Sequence, residues 1–255
     1  MPGKLIKKQH IIIFIATMVW GLAAHGYMFF NKFSWHDDMN SLFRVGSTYT
    51  SGRWFLGVLG ECVQKCFGNV SVPWFNGLFS LLVLAAANVV LVELFRMKRS
   101  SSCILLGGLM VTFPSWVATY AYMFTASYYA VAVFLAVLCI YIVWEDKKTW
   151  RGIIVGAICI SLSLGIYQAY LPVAVTVLLI AFINSVIMDS ERSFVEHFRT
   201  GFFGVLAILL GLFLYFVINN IALAVNHTSL SDYQSINQMG HTNLKMIANG
   251  IVFVW

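Results

Sequence analysis

Long apolar runs separated by short polar segments dominate this chain. The first run, Ile11–Phe30, has 20 residues, and as a helix it would rise about 30 Å, the thickness of the hydrocarbon core of a bilayer. It exceeds the apolar core of a cleaved signal peptide, about 7–15 residues, so we interpret it as a retained membrane anchor. Six similar runs follow: Pro73–Phe95, Cys103–Ala118, Ser127–Trp144, Gly152–Tyr167, Leu171–Met188 and Gly201–Val225. The pattern predicts an all-α polytopic membrane protein with about seven transmembrane helices.

The composition supports a bilayer as the main solvent of the chain. Hydrophobic residues make up 60% of the sequence and charged residues only 10%, whereas soluble domains carry about 25% charged residues. The net charge of +6 does not indicate nucleic acid as a partner, because the basic residues fall in short clusters between apolar runs. Membrane lipid is the expected surrounding.

The basic residues also predict an orientation. If the runs alternate across the bilayer, 11 of the 16 basic residues fall on one side: Lys4, Lys7, Lys8, Arg96, Lys98, Arg99, Lys147, Lys148, Arg151, Arg192 and Arg199. The positive-inside rule places this side and the N-terminus in the cytoplasm. The connection Asn31–Val72 and the segment Asn226–Trp255 are then external.

The connection Asn31–Val72 is long and has helical periodicity. From Trp54 to Phe67 the apolar residues recur at i, i+1, i+4 and i+5, which predicts an amphipathic helix. A weaker apolar stripe from Met39 to Tyr49 predicts a second one. Neither is long or apolar enough to span a bilayer, so we expect two juxtamembrane helices in the outer interface.

Candidate chemistry precedes and accompanies these two helices. Asp37 and Asp38 follow His36 at the outer mouth of the first span. One of these aspartates could simply cap a helix; the pair could instead serve as a base or bind a cation. Arg44 and Arg53 could reach toward lipid headgroups, or they could clamp a phosphate, for which a guanidinium is well suited.

Several other polar residues have simpler predicted roles. Gln168 lies in a tight external turn, where a turn-forming role is expected, Glu93 is expected to pair with the basic cluster after it, and His25 to be hydrogen-bonded rather than catalytic. Four tyrosines are predicted to belong to an interfacial aromatic belt, with stacking on sugar rings as the alternative: Tyr120, Tyr122, Tyr128 and Tyr129.

Familiar cofactor and hydrolase motifs are missing from the sequence. It contains no phosphate-binding glycine loop, no H-E-x-x-H motif and no nucleophile elbow. These absences disfavour a nucleotide-binding enzyme, and they give no indication of a bound cofactor.

Short motifs across the whole chain resemble those of a known family. They are His36-Asp37-Asp38, Ser51-Gly52-Arg53-Trp54, Tyr122-Met123-Phe124-Thr125-Ala126 and Gly165-Ile166-Tyr167-Gln168. Together they resemble the bacterial and phage glucosyl transferase type II family, whose members decorate O-antigen and change serotype. That family is similar in architecture to the GT-C glycosyltransferases, which carry juxtamembrane helices and an acidic catalytic motif in their first external loop.

The resemblance implies a function and a set of site residues. It implies transfer of glucose from a polyprenyl-phosphate donor to O-antigen or another surface glycan, on the periplasmic face of the bacterial inner membrane. Asp37 and Asp38 would be catalytic, or would hold a divalent ion as in some GT-C relatives. The substrate-binding residues would be His36, Arg44, Arg53, Trp54, Tyr167 and Gln168.

Two further expectations concern the chain as a whole. The sequence stops within an apolar run, at Ile251–Trp255, and family members look longer. We therefore expect residues 1–255 to form one transmembrane domain, the N-terminal part of a longer GT-C-like module, in which case the acidic motif could be present without activity. The competing function is a transporter or flippase of lipid-linked glycans, which would favour polar or broken helices at mid-membrane.

Overall fold

The described part of the chain consists of helices. A computed structural model of the chain describes residues 7–31, 48–68, 72–146, 150–189, 193–232 and 236–237, and these ranges contain no strand. The helices are α1 (Lys8–Phe30), α2 (Trp54–Phe67), α3 (Pro73–Leu94), α4 (Ser100–Thr112), α5 (Pro114–Ala121), α6 (Met123–Glu145), α7 (Trp150–Ile166), α8 (Leu171–Met188) and α9 (Phe194–Val225). Two 3-10 turns, Tyr49–Ser51 and Gln168–Tyr170, precede α2 and α8. The predicted all-α membrane fold is confirmed.

The helices capable of crossing a bilayer are fewer than predicted. Among the described residues, five helices are long and apolar enough: α1, α3, α6, α9 and α8 with its preceding turn. The bent pair α4–α5 makes up to six. The remaining predicted span corresponds to α7, an apolar helix of 17 residues, shorter than the roughly 20 residues that a straight span needs.

A proline causes the bend between α4 and α5. The two helices meet at 43°, since Pro114 lacks an N–H and its ring excludes the preceding helical turn. In the bilayer a carbonyl freed by such a break needs another donor. His25 supplies one, with Nε2 2.7 Å from the carbonyl oxygen of Val111. The hydrogen-bonding role predicted for His25 is confirmed.

Glycines allow the main helix pairs to approach closely, as small residues do in membrane bundles. An added Cβ at Gly77 would lie 2.4 Å from Phe29 across the α1–α3 contact. Gly211 of α9 has the carbonyl oxygen of Ala157, in α7, 2.7 Å from its Cβ position. These contacts bury the helix backbones, whereas aliphatic and aromatic side chains remain exposed on the outer faces, as expected where lipid is the solvent.

A cluster of charges joins α1 to the end of α3. Lys7 Nζ lies 2.7 Å from Glu93 Oε2, and His10 Nε2 contacts the other carboxylate oxygen. The prediction that Glu93 pairs with the basic residues after it is therefore wrong, because Lys7 and His10, at the start of α1, occupy both oxygens of its carboxylate. Arg96, from the predicted cluster, lies instead 3.5 Å from Asp189. We call this end of the bundle the Glu93 end.

The predicted amphipathic helix at 54–67 is confirmed as α2. All of its buried residues, Trp54, Leu56, Gly57 and Gly60, lie in the first half, and every residue from Glu61 to Phe67 is exposed. The second predicted juxtamembrane helix, from Met39 to Tyr49, lies outside the described residues except for its last two positions, and the external segment after residue 237 is also outside them.

We expect Gly211→Ala to destabilise the protein by about 1–3 kcal/mol, because overpacking forces α7 and α9 apart. The matched control is Gly26→Ala in α1, where an added Cβ meets nothing within 4 Å. Thermal unfolding of the detergent-purified variants measures the difference. Equal midpoints for Gly211→Ala and Gly26→Ala would contradict the close contact.

Candidate functional site

A tight turn before α2 forms the centre of the site. The 3-10 turn Tyr49–Ser51 ends at Gly52, whose φ of 70° is left-handed, a conformation that glycine adopts without steric cost. The Arg53 N–H then donates to the carbonyl of Thr48 at 2.8 Å. This reversal places Arg53 at the start of α2, with its backbone anchored on the turn.

Two distant side chains bind the carbonyl groups of this turn. Gln168 Nε2 lies 3.1 Å from the carbonyl oxygen of Ser51 and 2.9 Å from that of Gly52. The Tyr215 hydroxyl donates to the Gly52 oxygen at 2.9 Å and accepts from Gln168 Nε2 at 2.8 Å. The turn is thus fastened to the α7–α8 connection and to the interior of α9.

The segment after α9 also reaches the turn. Its Ser231 N–H donates to the carbonyl oxygen of Thr50 at 2.9 Å. Helix α9 continues from Tyr215 to Val225, and at about 1.5 Å per residue its end lies about 15 Å beyond Tyr215. The chain therefore returns from the end of α9 to reach the turn from a second direction.

Arg53 lies against two tyrosines. Its guanidinium carbon is 4.4 Å from the ring centroid of Tyr167, within the range of a cation–π contact. Its Nη1 donates to the Tyr129 hydroxyl at 3.3 Å. The Nε atom is buried and has no hydrogen-bond partner among the described residues. The side chain as a whole is only half-buried, so the charge of its guanidinium could hold an anion beside it.

Three tyrosines form the aromatic side of the site. The Tyr129 and Tyr167 rings stack with centroids 5.1 Å apart, and Tyr170 meets Tyr167 edge-on at 5.7 Å. Sequence reasoning assigned Tyr129 to the interfacial belt and gave Tyr170 and Tyr215 no role. No local pattern in the sequence could connect Tyr129 or Tyr215 to Arg53, because their contacts join helices that are far apart in the chain.

Trp54, the residue after Arg53, lies in the hydrophobic core. Its side chain is buried, and an added Cβ at Gly165 would lie 2.6 Å from its ring. This close approach packs the first turn of α2 onto the end of α7. Trp54 therefore occupies the core beneath Arg53, with no exposed ring face comparable to that of a surface aromatic.

The structure brings together four of the predicted site residues, Arg53, Trp54, Tyr167 and Gln168. The others, His36, Asp37, Asp38 and Arg44, lie outside the described residues. Within the described ranges, no group of three or more His, Cys, Asp and Glu side chains could hold a metal ion.

A hydrogen bond at the edge of the turn responds to pH. The Tyr49 hydroxyl donates to Glu61 at 3.0 Å. Partial burial, together with the hydrogen bond and the negative charge of Glu61, raises the pKa of Tyr49. A raised pKa in the folded state means that the stabilisation is present below the unfolded value, about 10, and is lost as the pH rises through the folded value.

The Tyr49–Glu61 contact gives a pH-dependent prediction. At pH about 8 we expect Tyr49→Phe to unfold at a lower temperature than the unaltered protein, because it lacks the bond to Glu61. Above pH about 10 the gap closes, since the unaltered protein then ionises Tyr49 beside a carboxylate. Unfolding midpoints across this range test it; a constant gap would contradict the assignment.

Comparison with known proteins identifies a family for this chain. Neither a curated protein nor a solved structure matches the chain significantly. The family model described as Glucosyl transferase GtrII matches residues 26–254, a range that includes every predicted and observed site residue. The resemblance drawn from the short motifs is thereby confirmed: the chain belongs to the Glucosyl transferase GtrII family.

Proposed function

We propose that this chain transfers glucose, or another hexose, from a polyprenyl-phosphate donor to O-antigen or another surface glycan. The glycosyltransferase role rests on the family match over residues 26–254. The helices that can cross a bilayer suit a donor that is itself embedded in lipid. The donor and the acceptor are those that the resemblance of the short motifs implies, and a donor that carries a phosphate suits a guanidinium such as that of Arg53.

The observation that carries the proposal is the arrangement of Arg53. Its guanidinium lies on Tyr167 and binds Tyr129, and a buried Nε has no partner among the described residues. Charge develops on the phosphate of the donor as its bond to the anomeric carbon breaks. A guanidinium fixed in advance can stabilise that charge without reorganising during the reaction.

The remaining roles follow the chemistry of the first external loop. Asp37 or Asp38 takes the proton from an acceptor hydroxyl as its oxygen attacks the anomeric carbon, and the polyprenyl phosphate leaves with the bonding electrons. General-base assistance contributes about 10²–10⁴ in rate. Arg44 would assist Arg53 at the phosphate, and His36 would contact substrate beside the aspartates.

The aspartate pair also has the donor chemistry for a divalent ion, since carboxylate oxygens are the ligands that Mg²⁺ prefers. Such an ion would supply further charge stabilisation at the phosphate. Tyr167, whose ring lies against the Arg53 guanidinium, would contact the donor together with Arg53.

The proposed topology follows from the two ends of the bundle. Lys7 binds Glu93 at the end of α3, and Arg96 directly follows that helix, so both basic residues lie at the Glu93 end. The turn that carries Arg53 lies at the opposite end of α7 from its basic N-terminus. By the positive-inside rule the Glu93 end would be cytoplasmic, and the Arg53 end would face the periplasm from the inner membrane.

Mass spectrometry of the glycan repeat tests the function. The chain is expressed in a host that makes the O-antigen and polyprenyl-phosphate glucose, with Asp37→Asn/Asp38→Asn as the comparison. We expect a hexose gain that disappears in the double variant, because no base remains for the acceptor proton. A gain that persists in a membrane-inserted double variant would refute the proposed chemistry.

Substitution of Arg53 gives a second prediction. We expect Arg53→Met to lower kcat/KM for the donor by about 10²–10³, the usual effect of removing one preorganised charge-stabilising group. Arg53→Lys should recover only part of this loss, because an ammonium lacks the planar fork that binds phosphate and stacks on Tyr167.

The control for Arg53 is Lys65→Met, which removes an exposed positive charge from the same helix. Transfer assays in proteoliposomes with purified donor compare the three variants. Equal losses in Lys65→Met and Arg53→Met would indicate a general effect of charge and would contradict a specific phosphate contact.

A further inference from the structure

Three atoms from distant parts of the chain meet behind Arg53. The Gly52 carbonyl oxygen, Gln168 Nε2 and the Tyr215 hydroxyl oxygen are separated from one another by 2.8–2.9 Å. A carbonyl oxygen can only accept, so Gln168 binds this turn through the N–H groups of its amide. The Gln168 amide nitrogen donates to the Tyr215 hydroxyl oxygen and to the carbonyl oxygens of Ser51 and Gly52.

Gln168 and Tyr215 hold the peptide unit between Gly52 and Arg53. The carbonyl of Gly52 and the N–H of Arg53 belong to one planar group. Its oxygen accepts from Gln168 and Tyr215, and its N–H donates to the carbonyl of Thr48 at 2.8 Å. Because the oxygen and the N–H of this planar unit are both held, the positions of Arg53 N and Cα are fixed. Helix α2 begins at the next residue, so the backbone on both sides of Arg53 is fixed and the direction of its side chain is set.

The burial of Tyr215 makes this arrangement costly to abandon. Its side chain is 1% exposed, and a buried hydroxyl or carbonyl without a partner loses the hydrogen bonds that it had in water. The orientation that satisfies Tyr215 is therefore the one in which the turn carries Arg53 toward Tyr129 and Tyr167.

We propose that Tyr215, acting with Gln168, is a positioning residue of the transfer site, which aims Arg53 at the donor phosphate through the Gly52 peptide. The proposal rests on the proposed function of Arg53 and adds to it a residue of α9. Tyr215 acts through the backbone, so its removal should matter only while Arg53 is there to be aimed.

A double-mutant cycle tests that dependence. We expect Tyr215→Phe to lower kcat/KM for the donor about tenfold, with the KM for the acceptor glycan unchanged. In an Arg53→Met background the same change should cost less than about twofold, because residues acting as a unit are not additive. Proteoliposomes containing the full chain and purified polyprenyl-phosphate glucose provide the assay.

Tyr120→Phe is the matched control. Tyr120 is also a buried tyrosine, 2% exposed, and its hydroxyl accepts a hydrogen bond from Ser80 at 2.9 Å, at a place away from the turn. We expect its kcat/KM to remain that of the unaltered protein. Both substitutions remove one buried hydroxyl and keep the ring, so a difference between them reports position rather than loss of a hydrogen bond.

Amide hydrogen exchange supplies a readout that does not need activity. In Tyr215→Phe the amides of Gly52 and Arg53 should exchange about tenfold faster, because the peptide between the two residues is less firmly held. Exchange in α6 should stay unchanged. The measurement is made on the full chain in lipid nanodiscs, with Tyr120→Phe in parallel.

The outcomes separate the two proposals. A tenfold loss that vanishes without Arg53, with faster exchange in the turn, supports the positioning role. Full activity in Tyr215→Phe, or a loss equal in both backgrounds, overturns it. If the unaltered protein transfers no hexose, the proposed function fails, and the positioning role in catalysis fails with it. Faster exchange of the turn in Tyr215→Phe would then still show that Tyr215 holds the Gly52 peptide.

Discussion

The site depends on the peptide unit between Gly52 and Arg53. Gly52 is buried, and a buried backbone group without a hydrogen-bond partner costs free energy, so the polar atoms of this peptide unit must be satisfied within the protein. Here Gln168 and Tyr215 satisfy the oxygen, and Thr48 satisfies the nitrogen. The requirement to pair one polar group thereby joins α9, the α7–α8 connection and the start of α2 at a single point.

The helices make this meeting possible by approaching one another closely. Gly165 lets Trp54 lie against α7, and Gly211 brings α9 within backbone contact of the same helix. A larger side chain at Gly165 would push α2 away from α7, and one at Gly211 would push α9 away from the same helix. Tyr215 could then no longer reach Gly52. The geometry of the site therefore depends on the close packing of the helices.

Much of the fold could be predicted from the sequence because the determining patterns are local. The apolar run of α1 and the stripe of α2 each contain the information that defines the element. Glu93 shows where this stops. Its sequence neighbours include Arg96, yet Lys7 and His10 hold its carboxylate, because a helix nearby in space competes with one nearby in sequence.

The site was predictable to a lesser extent for the same physical reason. Arg53 stands out because charged residues are only 10% of the chain, and both Arg53 and Gln168 lie in short recognisable motifs. Tyr215 had no such signal: among the aromatic residues of α9 it looks like any lipid-facing or core side chain. Its hydroxyl has meaning only once α9 is packed against the turn, 163 residues away in sequence from Gly52. A buried polar atom that joins distant segments is therefore what distinguishes a positioning residue from its neighbours, and it is visible only in three dimensions.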